Sequence, residues 1–427
     1  MEKYLSKLPQ GEQRLISLIS RVARDKNMAV YLVGGFVRDL ILKRDNFDLD
    51  VVVEGDGIAL ARELAEILNA KIISHEKFGT STVTLENGLK IDIATARLET
   101  YPHPGSLPEV TYSTLRQDLS RRDFTINAMA MSINKGSMGE LVDFFAGGSD
   151  IKSGQVRILH DLSFIDDPTR ILRAIRFEQR FGFKIEKHTM LLMKEAISQG
   201  RLHDIQPQRV RDELILDLKE PDVLKFLVRL NNLLGFSFIH QKLKIGRDGF
   251  ILLRAIRNEI NWYNKTYPKR RQLDSWLIYL MGLLDSFDVT ASENVCRRFA
   301  FKRGEEKRIL SIKELNKSFL RGLSSRKLSA DKIYSMLEPL SYEAIIFLKA
   351  KYKNSGIKAN IEDFLEIYNG MRLCICGQDL KDMGLKPGPS YNKIFVKALA
   401  AKLSGRITTK AEEVSFIKKM IKSCGLK

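Results

Sequence analysis

Two aspartates near the N-terminus have the spacing of a metal site. Asp48 and Asp50 alternate with apolar residues in a segment, 47–53, that reads as a β-strand. Side chains alternate along a strand, so the two carboxylates share one face while Leu49 and Val51 face the other way. Paired carboxylates form the hard, oxygen-rich site that Mg²⁺ prefers. The spacing therefore predicts that Asp48 and Asp50 bind Mg²⁺.

A glycine pair precedes these acids. Gly34 and Gly35 follow an apolar, β-prone stretch, 29–33, and are followed by Arg38. Paired glycines let the backbone approach a bulky anion, and a helix that starts there directs its amide N–H groups at that anion. Either motif alone is most often a turn or a solvated strand edge. In the order strand, turn, helix, strand they describe a nucleoside triphosphate held over metal ions, the equipment of two-metal nucleotidyl transfer.

Asp92 is a candidate third carboxylate. It lies in the second strand of a hairpin whose turn is marked by Asn87-Gly88. If that strand lies beside the strand of Asp48 and Asp50, Asp92 shares a metal or takes the proton from an attacking hydroxyl. The alternative is a surface residue on an alternating strand.

Two groups of arginines follow. Arg121 and Arg122 precede a helix-prone, small-residue stretch, and the fork of a guanidinium matches the oxygens of a triphosphate. Further on, Asp166, Asp167 and Pro168 are helix-start signals. The helix that they open carries Arg170, Arg173, Arg176 and Arg180 on the side opposite its apolar residues. A solvated basic face is one interpretation of this pattern.

A sharper interpretation pairs Asp167 with Arg170, one turn away. An Asp acceptor and an Arg donor together read the Watson–Crick edge of a base that shows an exocyclic amine beside a ring acceptor. Cytosine and adenine show that pattern, whereas guanine and uracil do not. The pair therefore predicts a site that accepts CTP and ATP without a nucleic-acid template.

Bulk composition narrows the class of protein. The 427 residues suffice for two to four domains, and 29% charged with 44% hydrophobic residues is ordinary for a globular protein. The net charge of +18 favours a polyanionic partner, most simply nucleic acid. No apolar run is long enough for a membrane span. The four cysteines are too scattered for a disulfide framework or a zinc site, which favours a reducing cytoplasm.

Strand and helix signals divide the chain. Residues 29–145 mix both, whereas strand signals nearly vanish from about 155 onward. The sequence predicts an α+β protein with a small mixed sheet and helices at its N-terminus, followed by an elongated all-helical remainder.

These motifs together resemble the class II tRNA nucleotidyltransferases, the group that holds CCA-adding enzymes and bacterial poly(A) polymerases. The resemblance spans roughly residues 29–215 and rests on motifs in the family's order: Gly34-Gly35-x-x-Arg38-Asp39 with Asp48-x-Asp50, Arg121 to Ala128, Asp143 to Asp150, Asp166 to Phe177, and more weakly Gln208 to Leu214. Three departures are Asp166 for a usual Glu, Ala146 for the first Gly of a Gly-Gly pair, and Gln208 for a usual Glu.

The resemblance implies a domain order and a set of site residues. Residues 1–150 form the catalytic head, 151–215 a helical neck that reads the base, 216–330 a body, and 331–427 a tail that binds tRNA. The implied catalytic residues are Asp48, Asp50 and Asp92, with Mg²⁺ on Asp48 and Asp50. The implied nucleotide-binding residues are Gly34, Gly35, Arg38, Arg122, Asp167, Arg170, Arg173 and Arg176.

The resemblance leaves the added nucleotides open. Family members that add only CC lack or shorten a loop that is present here in full, residues 97–118, so we expect terminal A addition. We place CCA addition to tRNA from CTP and ATP first, addition of A alone to tRNA ending in CC second, and poly(A) synthesis third. A non-catalytic RNA-binding protein on a decayed scaffold is disfavoured because Asp48, Asp50, Arg38 and Arg122 are intact.

Overall fold

The computed structural model of the chain describes residues 2–44, 48–100 and 109–424. They divide into two compact units, Met1–Phe238 and Ile239–Lys427. The start of the predicted metal-binding strand, at 47, and the centre of the predicted loop, 101–108, lie outside the described residues. The predicted boundaries at 150, 215 and 330 stay predictions, since the only division that the structure shows in its described part is the one after Phe238.

The first unit contains the strands and about half of the helices of the described chain. Its strands are β1 (Ala29–Val33), β2 (Leu49–Glu54), β3 (Lys71–His75), β4 (Thr80–Thr84), β5 (Lys90–Thr95), β6 (Arg97–Thr100), β7 (Glu109–Tyr112), β8 (Ala130–Ser132), β9 (Leu141–Val142), β10 (Gln155–Val156) and β11 (Lys184–Ile185). Its helices are α1 (Glu2–Leu5), α2 (Gln10–Asp25), α3 (Gly35–Ile41), α4 (Gly57–Ile67), α5 (Leu115–Ser120), α6 (Gly147–Ser153), α7 (Ser163–Asp166), α8 (Arg170–Phe181), α9 (Lys187–Ser198), α10 (Pro207–Asp217) and α11 (Val223–Leu233).

Seven strands form one mixed sheet in the order β3-β4-β5-β2-β1-β8-β9. β2 and β5 run parallel, and their register places Asp50 opposite Asp92. The condition on which Asp92 was proposed as a third carboxylate, that its strand lies beside that of Asp50, is therefore met.

Burial explains why β2 presents an acid at one point. Leu49, Val51 and Val53 are fully buried on one side of the strand. On the other side, Val52 joins an apolar cluster with Val33, Ala96, Leu115, Leu119, Ala128 and Ala130, whereas Asp50 lies past its edge. Local signals agree with the fold, because β1 has its predicted bounds and the Asp56 carboxylate caps α4 by accepting from Ala59 N at 3.0 Å.

In the second unit, all regular secondary structure of the described residues is helical. Its helices are α12 (Arg247–Thr266), α13 (Ser275–Leu283), α14 (Val289–Arg298), α15 (Arg303–Ser311), α16 (Lys317–Leu323), α17 (Ala330–Leu337), α18 (Tyr342–Lys351), α19 (Ser355–Asp363, continued by a π-helical turn, Phe364–Tyr368), α20 (Gly377–Asp382), α21 (Pro389–Leu403) and α22 (Lys410–Cys424). The predicted fold class, a small mixed sheet with helices followed by a largely helical region, is confirmed. Over the described residues, no helix combines the length and the apolar character needed to cross a membrane.

Candidate active site

A polar cleft of about 410 Å³ in the first unit gathers most of the predicted site residues. Its lining comprises Gly34, Gly35, Arg38, Asp50, Arg121, Arg122, Asp123, Asn127, Asp167, Arg170, Arg173 and Phe177. Five arginines thus face three aspartates, so the cleft has the charge to bind a polyanion. Of the predicted residues, Asp48, Asp92 and Arg176 lie outside this lining.

Gly34 forms the floor of the cleft in a backbone conformation that only glycine adopts readily. Its φ and ψ are +67° and −129°, and α3 begins at the next residue, Gly35. A Cβ on Gly34 would lie 2.7 Å from Nη1 of Arg122 and 3.8 Å from Oδ2 of Asp50. Because Gly34 has no side chain, the Arg122 guanidinium and the Asp50 carboxylate both approach its backbone.

Arg122 is oriented by a buried acid that sequence reasoning missed. Asp118, on α5, accepts from Nη2 of Arg122 at 3.0 Å and from Nη2 of Arg121 at 2.7 Å. Burial alone would raise the pKa of Asp118, but the two guanidinium groups outweigh it and lower that pKa. The contact leaves Nη1 of Arg122 turned toward Gly34. The signal was present in the sequence, since Asp118 precedes these arginines by three and four residues.

Asp50 of β2, Asp92 of β5 and Asp48, which directly precedes β2, interact electrostatically. Burial raises the pKa of Asp50 to about 6, assisted by Asp92 and Asp48 and opposed by Arg122 and Arg38. Asp92 is exposed and accepts from Thr82 Oγ1 at 2.5 Å. Asp48 is exposed and lines a neighbouring cavity of about 590 Å³.

These acids fit a divalent cation in chemistry. Their oxygens are the donors that Mg²⁺ prefers, and a cation would stabilise the ionised form of Asp50, whose pKa is raised by burial and by the nearby Asp92 and Asp48. Over the described ranges, no three His, Cys, Asp or Glu side chains are already arranged around one point. The structure therefore brings Asp50 beside Asp92 and near Asp48 without closing them into a cage.

Arg38 is positioned by protein groups rather than left open to the cleft. Its guanidinium donates to both oxygens of Asp39, each at 2.8 Å, and to Asn127 Oδ1 at 2.6 Å. The ring of Phe181 lies 4.7 Å from the guanidinium carbon. Arg38 thus carries a buried ion pair, and its place in the cleft wall is fixed by three side chains.

The predicted base-reading pair lies where α8 begins: Asp167 is between α7 and α8, and Arg170 is the first residue of α8. A short helix, α7, ends at Asp166, and the predicted basic helix, α8, begins at Arg170. Between them, Asp167 Oδ1 accepts from Thr169 N at 3.1 Å and from Thr169 Oγ1 at 2.6 Å. Arg170 is buried and donates to Ser163 Oγ at 2.6 Å and to the carbonyl oxygen of Arg121 at 2.8 Å. The contact with Arg121 joins the start of α8 to the Arg121–Arg122 segment.

Arg173 and Arg176 belong to a chain of alternating charges. Arg173 contacts Asp123 at 2.7 Å and Glu213 of α10 at 3.1 Å. Burial would raise the pKa of Asp123, but Arg173 and a hydrogen bond from Asn127 outweigh it and hold that pKa at about 2. The basic side of α8 is therefore neutralised by acids rather than solvated.

Arg176 contacts two acids of α10 and lies outside the lining of the cleft, so its contact with nucleotide stays a prediction. Its guanidinium donates to Asp217 Oδ1 at 2.8 Å and to Glu213. Burial raises the pKa of Asp217 well above its usual value, and its second oxygen has no hydrogen-bond partner in the described part of the chain. Arg176 therefore ties α8 to α10 behind the cleft.

Comparison with known proteins places this geometry in a family. The poly(A) polymerase head domain matches residues 30–157. An A-adding tRNA nucleotidyltransferase of Halalkalibacterium halodurans is 31% identical over 96% of this chain and 92% of its own. The chain belongs to the tRNA nucleotidyltransferase family.

Other relatives of that family extend the comparison. An A-adding tRNA nucleotidyltransferase of Geobacter sulfurreducens is 34% identical over 95% of this chain, which spans only 47% of that relative. A CCA-adding enzyme in an apo form has a TM-score of 0.76 at 35% identity, covering 99% of this chain and 98% of its own. The Thermotoga maritima CCA-adding enzyme complexed with tRNA has a TM-score of 0.71 at 33% identity, covering 98% of each chain.

The tRNA nucleotidyltransferase relatives help to rank the two predicted reactions, CCA addition and addition of A alone. The sequence alone placed CCA addition ahead of addition of A alone. Both of the named sequence relatives are A-adding enzymes, which favours the alternative, although the CCA-adding structures do not exclude CCA addition.

Proposed function

We propose that this protein adds the terminal A, from ATP, to tRNA ending in CC. The observation that carries the proposal is the similarity to an A-adding enzyme over nearly the whole length of both chains. The net charge of +18 supports a tRNA substrate, because basic side chains bind a phosphate backbone and release its counterions.

The proposal gives different roles to the arginines in and behind the cleft. We propose that Arg122 contacts the triphosphate, because its Nη1 lies over Gly34 while Asp118 holds the other edge of the guanidinium. Arg38 and Arg173 act as positioning residues, since each carries a short ion pair with a neighbouring acid. Arg176 maintains the packing of α8 on α10.

In this proposal three acids serve as metal ligands and proton acceptor. We propose that Asp48 and Asp50 hold Mg²⁺, with Asp92 as the third carboxylate, in keeping with its place opposite Asp50. Bound there, the metal supplies Lewis-acid stabilisation of negative charge on the transferred phosphate. In this proposal Asp92 accepts the proton of the tRNA 3′ hydroxyl, and Thr82 orients its carboxylate by donating to Oδ1.

In this proposal the base-reading pair is Asp167 and Arg170, which line the same cleft. A carboxylate that accepts from the exocyclic amine of adenine rejects a base that presents a carbonyl oxygen there. The site's own shape thus provides selection without a template.

A primer series tests the proposal. Transfer RNA ending at the discriminator base, at C or at CC is incubated with each of the four nucleotides, and the products are sequenced. We expect one A on tRNA-CC with ATP and no extension of the shorter tRNAs. Extension of the shortest tRNA by C, C and A would replace this proposal with CCA addition, which the CCA-adding structural relatives support as the second candidate. A long A tract would indicate poly(A) synthesis.

A further inference from the structure

The Asp167 carboxylate is held by an arginine of α10, not by Arg170 of α8. Nη2 of Arg209, on α10, lies 3.0 Å from Oδ2 of Asp167, and both side chains are largely covered by their neighbours. The other oxygen, Oδ1, accepts from Thr169 N and Oγ1. Three donors from two different segments thus fix one carboxylate.

The number of acceptor positions defines what remains for a base. An ionised carboxylate offers about four lone-pair positions, and the donors of Thr169 and Arg209 occupy three of them. The remaining position is on Oδ2, the oxygen that Arg209 holds. A nucleobase amine that binds Asp167 therefore binds the oxygen whose direction Arg209 sets.

Arg170 does not hold the Asp167 carboxylate in place. Its guanidinium donates to Ser163 Oγ and to the carbonyl oxygen of Arg121, so those donors hold the start of α8 rather than Asp167. Among the described residues that line the cleft, Asp167 is present and Arg209 is not. Arg209 therefore acts on the cleft through Asp167 rather than directly.

We propose that Arg209 is a positioning residue for base selection: it fixes the Asp167 carboxylate as an acceptor aimed at the exocyclic amine of the incoming base. This inference rests on the proposed function, in which Asp167 reads that amine. Without Arg209, only Oδ1 would stay fixed, and Oδ2 would be free to turn away from the exocyclic amine, which weakens the preference for a base that carries that amine. A charge-assisted contact of this kind corresponds to about a tenfold change in discrimination.

The test compares Arg209→Ala with Arg209→Lys and with Arg211→Ala. Arg211 lies on the same helix and pairs with Asp212 at 2.7 Å, so its variant makes the same charge change away from Asp167. Incorporation of ATP and GTP is measured on tRNA-CC with the full chain, as separate kcat and KM values. Discrimination is a ratio of kcat/KM values, so any unfolded fraction of a variant cancels.

We expect Arg209→Ala to lower discrimination of ATP over GTP about tenfold while kcat for ATP stays within about threefold of wild type. Arg209→Lys should recover part of the loss, and Arg211→Ala should match wild type. The double variant Arg209→Ala/Asp167→Ala should discriminate no worse than Asp167→Ala alone, because both changes act through one carboxylate.

Two results would overturn the inference and leave base reading by Asp167 intact. One is wild-type discrimination in Arg209→Ala while Asp167→Ala loses it. The other is additive losses in the double variant, which would assign Arg209 a target other than Asp167. Wild-type discrimination in Asp167→Ala is a different result: it refutes base reading in the proposed function and the role of Arg209 together.

Discussion

Replacing Gly34 by alanine gives the sharpest test of the proposed triphosphate site. The added Cβ would lie 2.7 Å from Nη1 of Arg122, whereas ordinary contact begins near 3.4 Å, so the guanidinium must retreat by about 0.7 Å. Asp118 holds the other edge of that guanidinium at 3.0 Å, so the retreat strains their ion pair. The backbone at Gly34, with φ +67° and ψ −129°, adds a cost of about 1–3 kcal/mol for any other residue.

The two effects have different readouts. Displacement of a substrate-positioning group by a fraction of an ångström costs up to about a hundredfold in rate, so we expect kcat/KM for ATP to fall between about ten- and a hundredfold in Gly34→Ala. The backbone cost instead lowers the melting temperature. Initial rates of A addition to tRNA-CC over a range of ATP concentrations measure the first, and a thermal melt measures the second.

Gly88→Ala is the matched control. Gly88 has φ +85° at the turn between β4 and β5, and nothing lies within 4 Å of the Cβ that it would gain. This variant should lose stability through its backbone alone and keep wild-type kcat/KM. If Gly34→Ala also keeps kcat/KM within about threefold of wild type, Arg122 is not the group that positions the triphosphate.

Four further substitutions test other parts of the first unit. Asp50→Asn should lower A addition at least about a hundredfold and leave tRNA binding in a filter assay unchanged, because a metal ligand is worth several kcal/mol to the reaction. Ala146 has φ +60°, a conformation that glycine adopts at lower cost, so the Ala146→Gly variant should be more stable than wild type by up to about 1 kcal/mol. By contrast, Gly147→Ala should lose about 1–3 kcal/mol, since its Cβ would lie 2.2 Å from the carbonyl oxygen of Thr125; melting curves compare the two. The pKa of about 2 at Asp123, below its usual 3.8, stabilises the fold above pH 3.8 by about 2 kcal/mol, and that contribution disappears as pH falls through 2. The difference in melting temperature between wild type and Asp123→Asn should therefore narrow as pH falls from about 6 to about 3, and a constant difference would contradict the ion pair with Arg173.

Local signals in the sequence predicted the scaffold of the site well. The strand at 29–33, the hairpin at Asn87-Gly88 and the capped helix after Asp56 each depend on neighbours in the chain, so periodicity and turn chemistry suffice to find them. The pairing of Asp50 with Asp92 was stated only as a condition, because register between strands that are distant in the chain is set by the assembled sheet.

The partners of the arginines were harder to predict. Asp118 is close to Arg122 in the chain, and its helical spacing is a signal that could have been used. Arg209 and Asp167 meet only because α10 packs beside the start of α8, which no local pattern in either segment shows. A basic stripe read in isolation is most simply a solvated face, and that reading fails when the opposing acids come from another helix.

Those opposing acids decide which arginine is available to substrate. Asp123, Arg173, Glu213, Arg176 and Asp217 alternate in sign from the cleft into the space between α8 and α10. If the Arg176 guanidinium turned to a phosphate, Glu213 would keep Arg173, but the buried Asp217 would lose its arginine partner and carry a large desolvation cost. Arg176 is therefore committed to the fold. Arg122 has a single acid partner, and the Gly34 backbone brings its remaining edge beside Asp50. Arg122 is thus the arginine beside the proposed metal ligand Asp50 that the proposed triphosphate can engage at least cost to the fold.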